Sequence, residues 1–172
     1  MDAAKMLLAG IVSDTLILRS PTTTQIDVAS AHELAALIGE DLKEFGLNMF
    51  SCMEGLKHRS PKEAVESDFK TYKENNLKIG IGQCECTTLE DLEDYRTEYL
   101  AALDDIRKRQ ELDWAVLMIT DVLREHSVLL TTDFVAGNHL PYSLITDREY
   151  DMPGVMSRKK QLLPEILHAI AE

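Results

Sequence analysis

The sequence predicts an α/β fold: a mixed β-sheet of about five strands with helices packed on its faces. Three observations carry this. Up to residue 67 the apolar positions follow helical spacing, punctuated by cap and turn residues. Residues 68–86 change to alternation of apolar and polar side chains. WAVLMIT, 114–120, is a continuous apolar run bounded by charge, as expected of a buried central strand. Strands and helices mix without strict alternation, which points to a mixed sheet.

The elements can be justified in order. Residues 2–18 read as a helix, with Ala3, Met6, Leu7, Gly10, Ile11 and Asp14 on or near one face. RSPTTTQID, 19–27, holds Pro21 and three threonines and reads as a turn or linker. Thr24, with Asp27 three residues on, signals a helix start, and Gly39 a stop. A further helical stretch lies near DLKEFGLNMFSCM. Ser60-Pro61-Lys62-Glu63 combines a cap, a proline at the first helical position and a capping Glu, for a short helix ending near Ser67. DFKTYKE, 68–74, and LKIGIGQCEC, 77–86, flank Asn75-Asn76 and read as a hairpin. Thr88 with Asp91 opens an amphipathic helix to about Arg109. SVLLTT, 127–132, is a further strand. Residues 133–153 show no clear period. A last helix starts near Pro164.

A chain of 172 residues suffices for one domain with a sizeable core. Asp and Glu outnumber Lys and Arg by 30 to 18, a formal net charge of −12. Such an acidic chain argues against general binding to nucleic acid or a membrane surface, so any anion site must be local. No apolar run reaches the length of a membrane span. The apolar start lacks a basic leader and meets Asp14 directly, which argues against a signal peptide. Cys52, Cys84 and Cys86 are an odd number without zinc-site spacing and read as reduced thiols of a cytoplasmic protein. The five histidines are scattered without ligand spacing and read as surface or structural residues.

Against that background GVMSRKKQLLP, 154–164, is an unusual use of positive charge. Pro164 belongs in the first turn of a helix, which puts Ser157-Arg158-Lys159-Lys160-Gln161 in the turn leading into it. A helix N-terminus already carries about half a positive charge and disfavours cations. Three cations there make sense around an anion such as phosphate, held by free N–H groups, a bidentate Arg and Lys point charges. The alternative is a solvated cluster paired with acidic neighbours such as Glu149 or Asp151. Lys70, on the opposite strand face from Phe69 and Thr71, gains interest only if the fold brings it near Arg158. Asp14 is either a helix-end residue bonding its own backbone or a carboxylate ligand for a hard divalent cation.

Three stretches together resemble the manganese-dependent, family II inorganic pyrophosphatases of the DHH phosphoesterases. AGIVSDTLILRSPTTT, 9–24, is similar to the join between that family's two domains. DFKTYKENNLKIGIGQCE, 68–85, resembles its Asp-x-Lys-x-aromatic strand followed by a strand ending in Gln. VMSRKKQLLP, 155–164, resembles its C-terminal basic signature. Ser51 and Met53 depart from the Lys-x-Gly often found there.

The resemblance implies that residues 1–20 are the last piece of the metal-binding DHH domain, 21–27 the interdomain linker, and 28–172 the DHH-associated substrate-binding domain. It implies that Asp14 is a metal ligand and that Lys70, Arg158 and Lys159 bind substrate phosphate. Lys160 belongs to the signature without such a role. The cofactor implied is Mn2+, alternatively Mg2+ or Co2+, held mostly by N-terminal motifs that do not occur in this sequence. Pyrophosphate and phosphate are the implied partners, with a homodimer formed through the absent N-terminal domain. The implied reaction is hydrolysis of pyrophosphate, with no catalytic residue in this chain alone and negligible activity expected of it. Two rivals stand beside this: a DHH-family phosphoesterase acting on another phosphoanhydride, and a non-catalytic domain binding phosphate or a protein.

Overall fold

The computed structural model describes residues 2–52 and 55–172, and the chain divides into two compact units, Met1–Met53 and Glu54–Glu172.

The first unit is helical. α1 (Asp2–Asp14) packs on α2 (Gln25–Ile38) and α3 (Leu42–Ser51). Leu8 and Val12, one turn apart, are buried on its inner face. α2 is closed at both ends as its sequence predicts. Asp27 N donates to Thr24 Oγ1 at 3.3 Å, Thr24 N donates to Asp27 Oδ2 at 2.8 Å, and Gly39 stops the helix at φ 73°. Gln25–Asp27, expected in the linker, form the first turn of this helix. Compactness groups residues 28–52 with α1 and not with the sheet.

The expected helix over 2–18 ends early, at Asp14. Leu16, Ile17 and Leu18 then run left-handed, at φ 49°, 57° and 61°. Each such L-residue costs about 1–2 kcal/mol, which helical spacing alone does not foretell. Burial of Leu16 and Ile17 offsets the strain, and Gly46 of α3 makes room for Ile17. A Cβ on Gly46 would lie 2.8 Å from Ile17 Cγ1.

The second unit is one six-stranded sheet, one strand more than the approximate expectation. The strands are β1 (Phe69–Glu74), β2 (Leu77–Cys86), β3 (Trp114–Asp121), β4 (His126–Thr131), β5 (Ser143–Thr146) and β6 (Glu149–Pro153). Their spatial order is β1-β2-β3-β4-β6-β5. Only β2 and β3 run parallel, joined by the crossover helix α5 (Leu92–Arg109). The β1–β2 hairpin turns at Asn75-Asn76, both left-handed (φ 50° and 63°), a conformation Asn tolerates. The unassigned 133–153 stretch holds β5 and β6. β5 is exposed along its length at the sheet edge, so its pattern carries no half-buried alternation.

Each face of the sheet carries its own core. α4 (Pro61–Ser67) and α5 cover one, with Val65, Tyr99, Leu103 and Ile106 against Cys84, Ala115, Leu117 and Ile119. On the other, Leu162 and Ile166 pack on Ile79, Ile81, Trp114, Val116 and Met118. β3 feeds both cores in strict alternation, which is why it reads as unbroken apolar sequence. Two sequence-predicted caps do not form. Ser60 makes no side-chain cap bond, and α5 starts after Asp91 without one, while Thr88 Oγ1 accepts from Glu90 N.

Gly80 and Gly82 of β2 accommodate the Phe69 ring from the neighbouring strand. A Cβ on Gly80 would meet Phe69 Cζ at 2.3 Å and Leu112 Cδ1 at 2.6 Å. Gly80→Ala should therefore destabilise the second unit by about 2 kcal/mol through overpacking. The denaturation midpoint followed by Trp114, the single tryptophan, reads this directly, and an unchanged midpoint would contradict the packing.

All three cysteines are free, Cys52 exposed and Cys84 and Cys86 buried. Burial pushes the Cys84 thiol up although Arg59 Nη1 lies 3.3 Å from its sulfur, and pushes Cys86 up to about 12. Thiolate is the reactive form, so in the folded chain Cys52 should react with a disulfide reagent at pH 8 while the other two wait for unfolding. Three rapid equivalents would refute this.

Candidate functional site

The basic triplet sits on the face of the sheet covered by Leu162 and Ile166. Arg158–Leu162 forms one wide helical turn with i to i+5 hydrogen bonding, and α6 (Leu163–Ala169) continues from it with Pro164 in its first turn. The cations therefore lie within the first helical turn itself, one step further in than the proline alone indicated. Leu162 N donates to Ser157 O at 3.2 Å, and Lys160 N to Ser157 Oγ at 3.3 Å. Gln161 ties the preceding loop to this turn. Its Oε1 accepts from Met156 N (2.8 Å) and Ser157 N (2.9 Å), and its Nε2 donates to Gly154 O (3.0 Å), beside the left-handed Gly154. Wide turns of this kind are rare and recur at functional sites.

Arg158 reaches from that turn to the start of β1. Nη1 donates to Asp68 O at 2.5 Å and to Ile81 O at 3.3 Å, and Nη2 donates to Asp68 Oδ1 at 3.0 Å. Its side chain is only 11% exposed. Lys70, two residues beyond Asp68, sits opposite Ile81 in the hairpin and places Nζ 4.0 Å from the same Asp68 Oδ1. The sequence condition on Lys70 is thus met: it and Arg158 stand within ion-pair reach of one oxygen. Lys70 is well exposed. Lys159 is exposed beside Arg158 and forms no ion pair among the described residues. Asp14 is exposed at the C-terminal end of α1 in the first unit.

Of the acidic neighbours named for the rival reading, Glu149 and Asp151 pair elsewhere, and the carboxylate that Arg158 meets is Asp68. Glu149 Oε2 lies 2.6 Å from Arg96 Nε, and Asp151 Oδ1 lies 2.6 Å from His126 Nε2. His139 and His168 likewise pair with Glu172, in keeping with surface histidines.

Sequence reasoning assigned no role to Asp68, Ser157 or Gln161. For Asp68 the signal was present, because a two-residue spacing on a strand puts it on the face of Lys70. Its carbonyl also accepts from Gln83 N at 3.1 Å, so one peptide oxygen serves both strand and guanidinium. Nearby, burial raises the Glu85 carboxyl above the usual carboxylate range, and the Asp68 charge adds to the rise. Gln161 had no such signal, since its bonds run to a loop whose path depends on Gly154. Among the described residues, no group of three or more His, Cys, Asp or Glu side chains is placed to hold a metal ion.

Chemically, the second unit brings the held Arg158 and the exposed Lys70 to one oxygen, with the exposed Lys159 next to Arg158 in sequence. That suits a multiply charged oxyanion.

The DHHA2 domain family matches residues 47–169. A manganese-dependent inorganic pyrophosphatase of Methanothrix thermoacetophila is 34% identical over 169 residues, covering 96% of this chain and 54% of the relative. That of Bacillus subtilis is 33% identical over 173 residues, covering 99% and 56%. A Methanococcus jannaschii crystal structure assigned to the family II inorganic pyrophosphatases superposes with a TM-score of 0.85 at 31% identity, over 99% of this chain and 56% of that one. The chain thus spans about half the length of the curated relatives it matches. With the matched residues taking in the whole sheet, the chain belongs to the DHHA2 domain family.

Proposed function

We propose that this chain is the phosphate-gripping part of a manganese-dependent inorganic pyrophosphatase, an enzyme that hydrolyses pyrophosphate to two phosphates. The observation that carries the reading is the convergence of Arg158 and Lys70 on one face beside Lys159, in a chain with a net charge of −12. The activity named for the relatives supports it.

Arg158, held rigid, orients one phosphoryl group through bidentate bonds. Lys70 and Lys159 follow the oxygens as point charges and stabilise charge on the leaving phosphate. Asp14 is the one metal ligand proposed in this chain. A carboxylate at a helix C-terminus stands against the local negative pole, a placement that a bound cation would relieve. A single carboxylate does not make a manganese site, so the described residues do not accommodate the metal centre themselves. The remaining ligands, for Mn2+ or alternatively Mg2+ or Co2+, belong to the other half of the intact protein. The same half is where a homodimer contact is proposed. The partition into a DHH-domain remnant (1–20), a linker (21–27) and a substrate domain (28–172) is a proposal of ancestry, distinct from the compact units. A cytoplasmic location is supported by three free thiols, and a protein free of nucleic-acid and membrane partners by the acidity. No helix among the described residues is long and apolar enough to cross a membrane.

Two outcomes follow. The pure chain with Mn2+ and pyrophosphate should release no phosphate above background; steady turnover would overturn the division of labour. It should nevertheless bind pyrophosphate at low ionic strength, seen by calorimetry, and Arg158→Lys should weaken that binding about tenfold by losing the bidentate fork. Equal affinity of this variant would remove Arg158 from the site. A clear preference for another phosphoanhydride would favour the rival phosphoesterase.

A further inference from the structure

Resting on the phosphate-gripping reading, we propose that Asp68 is a positioning residue that commits one edge of the Arg158 guanidinium to the protein and the other to the ligand. A guanidinium has five N–H donors arranged along two bidentate edges. The Nη1/Nη2 edge is taken: Asp68 O and Oδ1 accept from it at 2.5 and 3.0 Å, with Ile81 O as the third acceptor at 3.3 Å. That leaves Nε–H and the second Nη2–H, which point along the other edge as a parallel pair. Nε meets no protein acceptor among the described residues and is not sealed off from water, so this edge opens to solvent at Nε. The residue is otherwise almost enclosed, at 11% exposure.

The carboxylate is also the wrong charge for a place beside an anion. Its repulsion of a phosphoryl group lowers affinity, so its presence calls for a compensating gain. Fixing the fork supplies one. A guanidinium locked through one edge binds with its orientation already set, and the ordering of a long flexible side chain is not repeated at each binding event. Asp68 Oδ1 also draws Lys70 Nζ to 4.0 Å, which keeps the second cation on the same side. Asp68 is itself half-exposed and at the end of α4, so its substitution leaves both hydrophobic cores untouched.

The two variants of Asp68 separate orientation from charge. Asp68→Asn keeps an oxygen for Nη2 and removes the repulsion; Asp68→Ala removes both. Pyrophosphate is titrated into the full 172-residue chain at low ionic strength, with 31P NMR and calorimetry as readouts. Asp68→Asn is expected to bind about twofold more tightly than the unaltered chain, and Asp68→Ala about fivefold more weakly despite its loss of a repelling charge. Asp68→Ala binding as tightly as the unaltered chain, or more tightly, shows Asp68 to be only a neighbouring charge and overturns the inference. If Asp68→Ala does not fold by its amide spectrum, Asp68→Asn decides alone, and weaker binding by it overturns the inference. Arg158→Ala is the control for the underlying reading: no loss of binding on that substitution, or no binding by the unaltered chain, removes the phosphate grip itself.

Discussion

A guanidinium almost enclosed by protein keeps its charge and needs acceptors for its N–H groups. Arg158 finds them at the join between α4 and β1, where Asp68 presents both a carboxylate and a carbonyl. This contact links residues ninety positions apart in sequence, tying the last helix to the edge hairpin. Beyond the turn's own backbone bonds, the Ser157 and Gln161 side chains and the buried Leu162, it is this contact that ties the wide turn of 158–162 to the hairpin. The features around it serve the same geometry. Gln161 fixes the loop before the turn, and Gly80 and Gly82 let the Phe69 ring approach β2 at the start of the strand that carries Lys70, directly after Asp68.

Two placements run against the helix dipole: cations in the first turn at 158–160, and a carboxylate at the end of α1. Each is mildly unfavourable by itself. Arg158 is answered within the chain by Asp68, whereas the exposed Lys159 and Asp14 are the charges for which the proposed function supplies counterparts, an oxyanion for the first and a metal ion for the second.

Much of this fold was legible because local and global preferences agree in it. The Thr24 box, the Asn75-Asn76 hairpin and the unbroken apolar run of β3 each carry a local signature that the tertiary structure keeps. Where reading failed, the deciding contacts were not local. β5 is exposed throughout and owes its place to β6 alone, so no alternation marks it. The end of α1 is set by burial of Leu16 and Ile17 against another helix, which the helical spacing of 2–18 conceals. Ser60 and Thr88 are cap-type residues, yet Ser60 makes no cap bond and Thr88 Oγ1 accepts from Glu90 N in the turn ahead of α5, which starts only at Leu92.

The site divides in the same way. The cations declared themselves by scarcity, since a basic triplet stands out in a chain with thirty carboxylates. The group that organises them did not, because one more Asp carries no compositional signal. Its role exists only in the coincidence of a strand start with a helix start. That asymmetry follows from the physics of anion sites. The groups that meet the ligand must differ in charge from their surroundings, whereas the groups that aim them need only the right distance, and distance between remote segments is what a linear sequence does not display.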